Sequence, residues 1–116
     1  MSFPPDEYLR HILRETAYIL RASNGVSKEE FLKSETLKRA YVRSLEIIGE
    51  AVKQLPDELR HNYSSIEWRA IAGMQDRLIH VYFGVDYDVV WDVVVNKIPE
   101  LDAEVKRILK ETFSED

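Results

Sequence analysis

His80 is the side chain best suited to move a proton near neutral pH, because imidazole titrates near pH 6.5. It follows Asp76 by four residues and Arg77 by three, and Tyr82 comes two residues later. Positions three and four apart share a helix face, so on a helix a carboxylate and a guanidinium would flank the ring. A carboxylate so placed orients imidazole and favours its protonated form. The plainer reading is equally physical: histidine in a last helical turn is favoured by the macrodipole, and Asp76 makes an ordinary helix ion pair. Spacing alone leaves both open. The surroundings are unusually aromatic, since residues 66–91 hold both tryptophans, Trp68 and Trp91.

Metal chemistry has little to work with. The histidines are His11, His61 and His80, and none is paired at the spacing that puts two ligands on one helix face. There is no cysteine, which excludes disulfides and thiolate sites. A di-iron bundle needs Glu-x-x-His on two helices, and the chain has neither. Asp76 and His80 are two ligands, short of a site. No metal and no cofactor is expected.

The elements that must position these residues read as helices. Pro4-Pro5 opens the first, with Leu9, Ile12, Leu13, Thr16, Ile19 and Leu20 as its stripe and Ser23-Asn24-Gly25 as its stop. Ser27-Lys28-Glu29-Glu30 is a capping box for a short helix through Phe31 and Leu32. Ser34 caps the longest rod, which carries Leu37, Tyr41, Leu45, Ile48, Val52 and Leu55 and ends at Pro56. Gly49 inside the rod costs about 1 kcal/mol against alanine, which calls for close approach of another helix, with Gly73 the expected partner. Asp57-Glu58-Leu59-Arg60 reads as one further turn, and residues 61–65 as a loop whose Ser65 caps the next helix. That helix has Trp68, Ile71, Met74, Leu78 and Tyr82 on its apolar face and stops at Gly84. Asp86 caps a segment with core face Val89, Val90, Val93 and Val94. Its valines favour a strand by propensity; the cap and the lack of any partner strand make it a helix. Pro99 opens the last helix, with Leu101, Val105, Ile108, Leu109 and Phe113, before an acidic tail.

The expectation is an all-α, up-and-down helical bundle of four long helices plus short ones, a single domain over residues 1–116. Composition agrees: 45% hydrophobic and 32% charged is globular, not disordered. No apolar run reaches membrane-span length and the start lacks signal-peptide features, so a cytoplasmic protein is expected. The net charge of −5 argues against a broad electrostatic grip on nucleic acid and leaves room for a small basic pocket.

The string Asp76-Arg77-Leu78-Ile79-His80-Val81-Tyr82-Phe83-Gly84-Val85-Asp86, followed by Val90-Trp91, resembles the HEPN superfamily and within it the HepT-like toxins. Trp68-Arg69 stands where that family has a Trp-Arg pair. Leu45-Glu46-Ile47-Ile48-Gly49-Glu50-Ala51 resembles its Leu-x-Ile-Ile-Gly-Glu-Ala helix, and Tyr8-Leu9-Arg10-His11-Ile12-Leu13 looks like its first helix.

The resemblance implies a metal-independent endoribonuclease, the toxin half of a toxin–antitoxin pair, working as a homodimer on an RNA substrate. It implies a partner, an MNT-type nucleotidyltransferase antitoxin that transfers AMP to the motif tyrosine, which here is Tyr82. His80 matches the motif histidine and Asp76 the motif polar residue. The motif arginine position is Gln75, which offers no charged fork to a phosphate. The alternative is therefore a non-catalytic HEPN binding module that pairs with the nucleotidyltransferase.

Overall fold

Two 19-residue helices form the spine of the molecule: α1 (Pro5–Ser23) and α3 (Glu35–Lys53). In this computed structural model, residues 3–74, 79–80 and 84–113 are described. The start of α1 lies beside the end of α3, because Tyr8 and His11 share a groove with Glu50 and Gln54. The two helices thus run antiparallel. Between them lies α2 (Lys28–Lys33), opened by the expected capping box: Glu30 N–H donates to Ser27 Oγ at 3.1 Å and Ser27 N–H to Glu30 Oε1 at 3.0 Å. Ser34 Oγ accepts from Leu37 N–H at 3.1 Å and caps α3 as the sequence requires.

After α3 come α4 (Asp57–Asn62) and α5 (Trp68–Ala72), both short, then β1 (Ile79–His80) and β2 (Gly84–Val85), then α6 (Tyr87–Asn96) and α7 (Ile98–Thr112). Helix α7 packs along α1, α5 against α3, and α6 against α7. The architecture is all-α with four long helices, α1, α3, α6 and α7; the two-residue strand pair is the sole sheet among the described residues. The valine-rich segment is helical, with Asp86 Oδ1 accepting from Val89 N–H at 3.2 Å. Val90, Val93 and Val94 are buried. A helix shows three of its five valines to the core, whereas a strand would have needed a partner.

The core runs through Leu9, Ile12, Ile19, Tyr41, Leu45, Ile48, Val52, Leu101, Val105 and Ile108. Each such side chain contributes about 1.5–3 kcal/mol on leaving water. One polar tie is buried within it. Thr16 Oγ1 donates to Asp102 Oδ1 at 2.7 Å, and Lys106 holds the other carboxylate oxygen at 2.9 Å. Thr16 completes the stripe of α1 as a polar member with a bonded partner.

Four expectations need correction. His61 and Asn62 are the last residues of α4, because Pro56 begins a full six-residue helix and not one turn. Leu55 is buried but lies beyond α3, which ends at Lys53. Ser65 caps nothing: the residue before α5 is Glu67, and Ser65 Oγ donates instead to Glu104 at 2.8 Å. Gly49 does meet a close neighbour, but not Gly73. A Cβ there would stand 3.4 Å from the Ile71 carbonyl oxygen and 3.7 Å from that of Ala72. The backbone end of α5, rather than a facing glycine, is what approaches α3.

Candidate active site

The expected helix through 66–82 is not one helix. Helix α5 ends at Ala72, with Gly73 as its C-cap, and His80 lies in β1. Ile79 pairs with Val85, and His80 with Gly84, in antiparallel register. Glycine permits the reversal at Gly84, whose φ of +82° is strained for any residue with a Cβ. The local sequence favours this outcome: Ile79, Val81, Tyr82 and Phe83 are β-branched or aromatic, with greater preference for extended backbone than for helix. The four-residue spacing from Asp76 to His80 therefore does not put them on one helix face. Asp76, Gln75, Arg77 and Tyr82 lie outside the described residues, as does the acidic tail at 114–116.

What the described residues define is how both ends of the motif segment are held. Upstream, Trp68 is buried at 5% exposure and its indole Nε1–H donates to the Tyr63 carbonyl at 2.9 Å. Next to it, the largely buried Glu104 of α7 accepts from Ser65 and takes both ends of the Arg107 fork, each at 2.7 Å. The Arg107 hydrogen bonds hold the Glu104 carboxyl below its ordinary pKa, and burial opposes them only in part. Arg107 also lies 5.2 Å from the Tyr63 ring centroid and reaches Glu111 at 3.2 Å. Tyr63 OH is 2.8 Å from Thr112 Oγ1. The 63–67 segment is thus tied to α7 at three points before α5 begins. Met74, just past α5, is buried at 2%.

Downstream, the hold is aromatic. Phe31 of α2 stacks on Trp91 at 5.2 Å and on Tyr41 at 5.2 Å, and meets Tyr87 edge-on at 6.4 Å. Lys38 Nζ stands 4.7 Å from the Tyr87 ring centroid, and Lys28 pairs with Asp88 at 3.0 Å. Aromatic pairs of this kind contribute about 0.5–1.5 kcal/mol each beyond burial. Residues 75–83, which include the whole expected constellation, are therefore bracketed by a buried tryptophan with a carboxylate clamp and by a four-ring cluster.

Two of the residues in this bracket carry no signal that sequence reading can use. Glu104 and Ser65 are 39 positions apart, and nothing in their spacing announces a bond. Arg60 and His61, at the end of α4, line an open cavity with Arg69 of α5; reading residues 61–65 as a loop separated His61 from Arg60. Among the described residues, no group of three or more histidine, cysteine, aspartate or glutamate side chains could hold a metal ion, and no helix is long and apolar enough to cross a membrane.

Comparison with known proteins places this architecture. The model of the Ribonuclease HepT-like family matches residues 10–108. "Putative RNase TTE0752" of Caldanaerobacter subterraneus subsp. tengcongensis is 52% identical over 106 residues, 91% of this chain and 95% of that protein. "Putative RNase MJ0127" of Methanocaldococcus jannaschii is 40% identical, covering 94% of this chain and 90% of its own. "Probable ribonuclease HepT" of Thermococcus cleftensis is 38% identical, covering 90% and 94%. No solved structure matches. The chain belongs to the HepT-like family of HEPN-type ribonucleases.

Proposed function

We propose that this chain is a metal-independent endoribonuclease and the toxin component of a toxin–antitoxin pair. The observation that carries the proposal is the family match across residues 10–108, which spans the whole Asp76 to Tyr82 string. In the reaction, the 2′-hydroxyl of RNA attacks the adjacent phosphorus. The bond from phosphorus to the 5′-oxygen breaks, leaving a cyclic phosphate and a free 5′-hydroxyl. His80 takes or gives the proton, and the Asp76 carboxylate orients its ring. Neither role needs a metal. The protein is a single domain, acts in the cytoplasm and works as a homodimer, in which the two copies of the motif meet.

Neutralisation follows from Tyr82. A nucleotidyltransferase of the MNT type transfers AMP to its hydroxyl. That adds bulk and negative charge two residues from His80, where RNA phosphate must sit, and like charges repel there.

Gln75 favours a second reading. With a neutral amide where the family has arginine, less charge faces the scissile phosphate, and the chain serves as a non-catalytic partner of the nucleotidyltransferase. One set of measurements separates the two. Unmodified protein, with Tyr82 verified by intact mass, is incubated with RNA in the presence of a chelator. Cleavage that disappears in His80→Ala supports the enzyme. Absence of cleavage, with gain on Gln75→Arg, supports the second reading. Absence in both chains sinks the ribonuclease reading altogether.

A further inference from the structure

We propose that Arg69, Arg60 and His61 form a subsite for the phosphate backbone of RNA, separate from the His80 segment. The proposal rests on the ribonuclease reading for the identity of its ligand, though not for its geometry. The three side chains line one open cavity of about 590 Å³ between the end of α4 and the start of α5, together with Ser64. Most cations on this acidic chain are spent on neighbours: Lys97 on Glu67, Lys106 on Asp102, Arg107 on Glu104. The Arg69 and His61 side chains are exposed and have no partner among the described residues.

The acidic members of the cavity wall do not cancel them. Asp57 is bonded to Arg60 Nη2 at 2.5 Å, and Glu67 is drawn to Lys97 at 3.4 Å. Arg60 is itself paired with Asp57 and its Nε is shielded from solvent, so it lines the wall as the lesser member and Arg69 carries the subsite. A chain with a net charge of −5 thus carries a concave surface on which Arg69 and His61 present unpaired N–H donors.

The geometry selects backbone over base. Trp68 is the large aromatic of this wall, yet it is buried and its indole N–H is occupied by the Tyr63 carbonyl. Its inward turn also fixes Arg69. Consecutive helical residues point about 100° apart, so anchoring Trp68 in the core sends Arg69 outward. Guanidinium groups match phosphate oxygens in a two-pronged way and read no sequence. Arg69 belongs to the short helix that leads into the motif segment, six residues before Gln75. An anchor here holds RNA without calling on the neutral Gln75.

The test is binding of a fluorescent, single-stranded 2′-O-methyl RNA, which cannot be cleaved, to the full chain across salt from about 50 to about 200 mM. Arg69→Ala should weaken binding about tenfold and flatten the log–log salt slope by about 0.7, the value for one phosphate contact on a single strand. Arg69→Lys should keep the slope. His61→Ala should weaken binding less, and Arg39→Ala, on the exposed face of α3, should change nothing. Arg69→Ala binding like wild type overturns the subsite even when RNA cleavage by His80 is intact. Absence of RNA cleavage in both the wild type and Gln75→Arg, beside Arg69-dependent binding, overturns the ribonuclease reading and leaves the subsite standing. AMP bound as tightly as the oligonucleotide in an Arg69-dependent way also overturns the proposal, because the pocket would then serve a mononucleotide. No binding by the wild type at low salt overturns it outright.

Discussion

Helix α7 carries two buried carboxylates, Asp102 and Glu104, and they do different work. Asp102 faces α1, where Thr16 meets it at 2.7 Å and the surroundings are the main core. Glu104 faces the 63–68 segment, where it takes Ser65 and the Arg107 fork. One joins two long helices that would pack anyway. The other holds an irregular stretch, anchored in the core by Ile66, that leads into a five-residue helix and a two-residue strand pair. The difference shows how the fold divides its labour. Long amphipathic helices secure the frame by apolar burial, while the motif segment is held by specific polar and aromatic clamps at its ends.

The strongest way to sharpen that contrast is to remove the proposed catalytic group. His80→Ala should lower RNA cleavage by about 10²–10⁴-fold, the usual contribution of acid–base catalysis, while the melting temperature stays within a few degrees. A large loss of stability would mean that His80 belongs to the frame.

Next in size is the clamp. Glu104→Ala leaves Ser65 without its acceptor and Arg107 with Glu111 alone, and should cost about 2 kcal/mol, lowering the melting temperature by roughly 8 °C. Its pH dependence has a definite sign. Arg107 lowers the Glu104 pKa in the folded chain, so the stabilisation is fully present above the ordinary glutamate range and is lost as pH falls through the depressed value. Melting curves of wild type and Glu104→Ala should therefore converge on acidification. Curves that stay parallel would assign the cost to packing instead.

A smaller effect probes where α5 rests on α3. Gly49→Val should cost about 1–3 kcal/mol, because its two methyls extend beyond a Cβ that already stands in contact with the Ile71 and Ala72 carbonyls. Gly49→Ala makes only ordinary contact at 3.4 Å and gains helix propensity, so its unfolding free energy should match or slightly exceed wild type. If cleavage falls in Gly49→Val by more than stability explains, the α3–α5 contact also sets the motif. The smallest effect belongs to the frame alone: Ser34→Ala should cost about 1 kcal/mol in chemical denaturation and leave cleavage unchanged.

Much of this was legible in the sequence, element by element. Capping chemistry is local, so Ser27, Ser34 and Asp86 could be assigned from the residues three positions on. Apolar periodicity marked Leu9, Ile12, Ile19, Leu45, Ile48 and Val105 as core, and all are buried. The motif region was harder. Apolar residues at Trp68, Ile71, Met74, Leu78 and Tyr82 satisfy a helical period, yet Ile79 and His80 pair with Val85 and Gly84. Periodicity could not weigh Gly73 and Gly84 against that pattern, because their cost depends on what surrounds them.

By itself, then, the sequence determined the helical class, the caps, the core faces and the family, through the string from Asp76 to Asp86. These rest on neighbours within a few residues or on identity of residues. Only the tertiary structure decided that Ser65 serves Glu104 rather than a helix, that α5 is short and lies against Gly49, and that Arg60, His61 and Arg69 share one cavity. Those outcomes join residues far apart in the chain or on different elements. Their partners are chosen when α4, α5 and α7 dock, and burial then makes each unpaired polar atom too costly to leave alone.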